Sequence, residues 1–182
     1  TTAAYALCIA AVPILTPRLR RNRKEGCRAA SNLITIMVLV SAAAAAVWIG
    51  LTFTPWVDSL WYGSPQETAL LASYVRVMAL TLPVIVLTYL LVALFQSLEH
   101  FILQGSMSIP YNLALILFLA LFAGRLGVGG YVAAVALAWL LQLAMTVPYA
   151  LKERCPLRPV LDLRADYVRT FFKTAVVTVL TT

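Results

Sequence analysis

The sequence predicts an all-α protein, a polytopic bundle of transmembrane helices, and three observations carry that reading. Mean hydropathy is +0.90. Of the 182 residues 62% are hydrophobic and only 12% charged, against roughly 25% charged in a soluble globule, so there is too little polar surface to cover one. Several runs free or nearly free of charge match the roughly 20 apolar residues a helix needs to cross the hydrocarbon.

The elements follow in order. Residues 1–16 (TTAAYALCIAAVPILT) are uncharged but short of a full crossing, and read as a partial span. Residues 18–28 (RLRRNRKEGCR) hold six basic side chains, Arg18, Arg20, Arg21, Arg23, Lys24 and Arg28, against Glu25, and read as a loop. Residues 29–57 carry no charge and form a complete span. Residues 68–98 form a second, apolar except for Arg76, with a kink expected at Pro83. Spans 109–124 and 129–151 flank the turn GRLGVGG, whose glycines permit a tight reversal. The segment KERCPLRPVLDLRADYVRTFFK (152–173) mixes basic and apolar residues, so part of it is expected along the membrane surface. Pro156 and Pro159 keep its first part from being helical. Residues 171–182 begin another apolar run. Because both ends fall inside apolar runs and the first residue is not Met, the chain is expected to be a piece of a longer protein.

Charge sets the orientation. Twelve of the fourteen Lys and Arg residues fall in 18–28 and 152–173, two segments of the same parity, whereas 58–67 holds none and two acids. Basic loops stay cytoplasmic, and anionic inner-leaflet lipid attracts each Lys or Arg by roughly 1 kcal/mol near the surface. Arg18, Arg20, Arg21, Arg23, Lys24 and Arg28 are therefore topology anchors, with contact to lipid headgroups or a ligand as the other reading. Trp56, Trp61 and Tyr62 beside the outside loop fit an interfacial belt.

Other classes are excluded on chemistry. Nucleic-acid binding needs a basic face on a soluble fold, which the net charge of +7 does not have here. An intramembrane enzyme needs acid, base or metal-binding groups at depth, and Arg76 is the ionisable residue within a complete span. His100, beside Glu99 at a span end, reads as an interfacial residue. No cofactor loop is present. Cys8, Cys27 and Cys155 have no metal-site spacing, and Cys27 and Cys155 fall in cytoplasmic segments where thiols stay reduced, so neither disulfide nor metal is expected. The candidates for a polar cavity are Arg76, Asn112 and Gln142. Arg76 either faces such a cavity or snorkels to the outer interface, and Asn112 and Gln142 would serve equally as interhelical hydrogen-bonding groups.

Five segments carry a resemblance: AAVPILTPRLR at 10–20, ALFQSLEHF at 93–101, Asn112 eleven residues after Phe101, RLGVGGYVAA at 125–134, and LLQLAMTVPYALK at 140–152. In order, spacing and topology the chain resembles the MurJ/MviN lipid II flippases, within the multidrug/oligosaccharidyl-lipid/polysaccharide exporter superfamily. It departs at Gln96, Gln104, Ser108, Leu80, Ala4 and Tyr5, while Arg76 matches an arginine common in the family. The resemblance implies the end of the second helix through the start of the seventh, most of one lobe of a two-lobed transporter. It implies flipping of a lipid-linked cell-wall precursor, lipid II, across the bacterial cytoplasmic membrane by alternating access. The partners it implies are that precursor, membrane lipids and the remaining helices of the protein, with the main charged site on helices outside this chain. Another exporter of the superfamily, for polysaccharides or drugs, and a non-transporting membrane scaffold are the alternatives. Small residues at 41–46, with Ala134 and Ala138, are expected at close helix contacts.

Overall fold

The computed structural model describes residues 2–54, 64–106, 108–153, 155 and 157–181. Among the described residues six helices follow one another: α1 (Thr2–Arg21), α2 (Arg23–Leu51), α3 (Pro65–Ser97), the short α4 (Phe101–Ser106), α5 (Ser108–Lys152) and α6 (Asp166–Thr181). There is no strand among the described residues. Three segments, Arg23–Leu51, Pro65–Ser97 and Gly124–Lys152, are long and apolar enough to cross a membrane, and Ser108–Phe122 is a shorter apolar helix.

The charged stretch 18–28 departs from the expected loop. It is two helix ends separated by the single residue Asn22, whose extended backbone (φ −152°, ψ 107°) breaks the helix. The Asn22 side chain accepts a hydrogen bond from the Lys24 N–H at 3.1 Å and donates to Glu25 at 3.1 Å, capping α2. Arg18, Arg20 and Arg21 sit at the negative end of the α1 dipole and Glu25 at the positive end of α2, so the charges reinforce both termini. Gly26 lets the two helices meet: a Cβ there would lie 2.7 Å from the Leu19 Cα. Charge density alone suggests a loop here, but the Asn22 cap keeps both flanks helical.

At the other end of the molecule α3 begins with a capping box between Ser64 and Glu67, and the helix continues through Pro83. It closes with Glu99 in the left-handed region (φ 66°). There the His100 N–H reaches the Phe95 carbonyl at 2.9 Å and the Glu99 N–H reaches that of Gln96 at 3.0 Å, the paired bonds of a Schellman ending. The turn expected at 124–130 reduces to one residue, Gly127 (φ 55°, ψ −151°), where α5 breaks into two arms. The arms face each other, Tyr111 on the first meeting Trp139 of the second at a tilt of 48° with ring centroids 4.9 Å apart.

Helix α3 packs on α1, α2 and α5. The continuous apolar core lies toward the end where the basic segments meet: Leu15 of α1, Leu33 of α2, Leu91 and Phe95 of α3 and Phe171 of α6 are all buried within it. Of the small residues, Ser41, Ala45, Ala134 and Ala138 are buried, while 42–44 and 46 are exposed. Trp56, Trp61 and Tyr62 lie outside the described residues.

Candidate functional site

Arg76 projects toward the end of α2. Its Nε donates to the Thr52 Oγ1 at 2.8 Å, a second guanidinium nitrogen reaches the Thr52 carbonyl at 3.5 Å, and the group lies 4.0 Å over the Phe53 ring. Thr52 is the residue that ends α2. The arginine thus supplies positive charge and donors to a helix C-terminus, where unpaired carbonyls attract both.

Asn112 and Gln142 stand elsewhere. Asn112 is exposed on the first arm of α5 and donates to the Ser108 carbonyl at 2.9 Å, within its own helix. Gln142 is buried on the second arm. Both lie near the level of Trp139, which also touches Tyr89 with centroids 5.9 Å apart. Tyr89 follows Arg76 by thirteen residues, about 20 Å along α3 at 1.5 Å per residue. The three candidates therefore do not form one cluster. The row Tyr5, Tyr89, Trp139, Tyr111, in which Tyr5 and Tyr89 meet edge-on at 6.4 Å, links α1, α3 and both arms of α5. Its members are scattered over 135 positions of sequence with no common spacing, so no pattern in the chain announces it.

The strongest polar organisation is at the basic end. Glu153 accepts from Arg23 at 2.9 Å and from His100 at 2.9 Å, and Arg20 pairs with Glu99. Arg18 stacks 4.9 Å over the Tyr167 ring. The expectation that Cys27 and Cys155 stay unpaired is overturned. They form a disulfide, with Cα atoms 5.5 Å apart, inside the range a bridge requires. They are 128 residues apart in sequence, and compartment governs whether thiols oxidise, not whether two segments lie side by side. Cys8 remains a buried free thiol, its Sγ 3.5 Å from Gln96.

A bundle of long apolar helices with its basic segments gathered at one end is that of a multi-pass membrane protein. The family model for the lipid II flippase MurJ matches residues 2–182, nearly the whole chain, and the chain belongs to that family. Its members are flippases, transporters rather than enzymes, whose substrate is a lipid-linked precursor. No curated protein and no solved structure matches the chain significantly.

Proposed function

We propose that this chain forms a scaffold half of a flippase that moves lipid II across the bacterial cytoplasmic membrane by alternating access, with its basic end in the cytoplasm. The observation that carries the reading is the family match over 2–182, laid on a bundle whose two basic segments meet at one end. Twelve of fourteen Lys and Arg residues gather in those segments, as the positive-inside rule requires of a cytoplasmic face. In this reading the headgroup passes through a hydrated cavity against a second lobe while the polyprenyl tail stays in lipid. Asn112 and Gln142 are the polar groups assigned to the cavity side, and Arg76 to anchoring the far end.

Two measurements test it. The complete reading frame should restore growth to cells depleted of their lipid II flippase; failure to do so at normal membrane abundance would remove the substrate assignment. For orientation, a cysteine placed at Ser64 in a chain with its native cysteines replaced by serine should react with an impermeant thiol reagent in intact cells, and one at Arg164 should not. The opposite pattern would invert the topology.

A further inference from the structure

At the basic end a cavity of about 880 Å³ opens between the first turns of α2 and the segment that follows α5. Five cationic side chains line it, Arg23, Lys24, Arg28, Lys152 and Arg158, with Glu153 as the acid. Both Glu153 carboxylate oxygens are already engaged, one by Arg23 and the other by His100. Among the described residues no carboxylate pairs with Lys24, Arg28, Lys152 or Arg158. Lys24 and Arg28 are four residues apart on one helix face, where like charges repel. The α2 N-terminus adds the positive end of its dipole to the same space.

The five cationic side chains are exposed at the mouth of the cavity, where an entering anion can reach them. Basic pockets where membrane helices end are suited to acidic headgroups, and Arg and Lys hold phosphate through short charge-assisted hydrogen bonds. We propose that this cavity is a binding site for a phosphate-bearing anion, presented by an anionic phospholipid headgroup or by a soluble diphosphate. The site is made by two distant parts of the chain. Arg28 lies next to Cys27 and Arg158 three residues after Cys155, so the disulfide holds the two walls in register. The inference goes beyond the flippase reading and does not depend on it, because its test measures binding and not flipping.

The test uses protein from the complete reading frame in phosphatidylcholine nanodiscs, with and without phosphatidylglycerol. Native mass spectrometry counts the phosphatidylglycerol retained, and hydrogen exchange of residues 157–164 during titration with inorganic pyrophosphate reports a soluble anion. At least one probe should bind. Arg28→Gln and Arg158→Gln should each weaken that binding by about tenfold, the measure of one lost charge-assisted bond. Because they lie on different elements, a folding failure in one leaves the other to decide. Arg125→Gln, which removes the same charge at the α5 turn, should leave binding unchanged. Retention of phosphatidylglycerol without a response to pyrophosphate assigns the lipid headgroup; a response to pyrophosphate assigns the soluble anion. Binding of neither probe, or equal weakening by Arg125→Gln, would overturn the site.

Discussion

Asn32 and Asp162 are joined as two strands of a sheet are joined, through an amide that both gives and receives. The Asp162 N–H donates to the Asn32 Oδ1 at 2.7 Å, and the Asn32 Nδ2 donates to the Asp162 carbonyl at 2.8 Å and to the Tyr167 hydroxyl at 2.9 Å. Asn32 is fully buried. One side chain within an apolar helix thus satisfies the backbone of a connector that has no secondary structure of its own.

Replacing Asn32 by Ala should therefore destabilise the protein by about 1–3 kcal/mol, the cost of leaving buried partners unsatisfied. Asn32→Asp should cost at least as much, since a carboxylate oxygen would then face the Asp162 carbonyl. Thermal melting in detergent, with hydrogen exchange of 160–164, measures both. Unchanged exchange in either variant would contradict the assignment.

The cysteine bridge gives a second expectation. Both partners are buried, which shields the sulfurs from attack by soluble thiols. In protein denatured in alkylating reagent without reduction, Cys8 should be modified while Cys27 and Cys155 are not. Three modifications would refute the bridge. Cys155→Ser should lower stability by about 2–4 kcal/mol.

Arg76→Leu should leave insertion and transport near normal. It removes a charge that is costly within a span and loses the bonds to Thr52, with a net cost of about 1 kcal/mol. A variant that inserts normally and transports nothing, in a growth-complementation assay, would show that Arg76 acts in the cavity.

Gly26→Ala should be destabilising out of proportion to its size. The added methyl meets the Leu19 backbone and not merely a movable side chain, so α1 and α2 must separate. Overpacking of this sort costs about 1–3 kcal/mol. Equilibrium unfolding that matches the parent protein would mean the helices do not approach so closely.

What could be seen in the sequence was whatever hydropathy and charge report locally. The apolar runs, the glycine reversal near 127 and the gathering of arginines at one parity of loop needed no tertiary information. The helical state of 18–28 is hidden in the sequence because its charge density masks the Asn22 cap signal. The pairing of Cys27 with Cys155, and of Asn32 with Asp162, depends on two helix ends arriving at the same place. No local periodicity encodes such an arrival. The sequence leaves both fates of Arg76 open, because its partner Thr52 lies on another helix and only the packed arrangement brings the two together.

The crowding of the core, the disulfide and the Glu153 pairs at one end makes the bundle a lever with its fulcrum at that end. Helix α3, at 33 residues, is about 50 Å long at 1.5 Å per residue. A swing of about 10° at the clamped end, small enough for side chains to absorb, would carry the far tip of such a rod through about 9 Å. About 30 Å out along that rod, the bond between Arg76 and Thr52 ties α3 to the end of α2. Displacement in this molecule should therefore grow steadily with distance from the arginines, as opening does along the blades of a pair of shears.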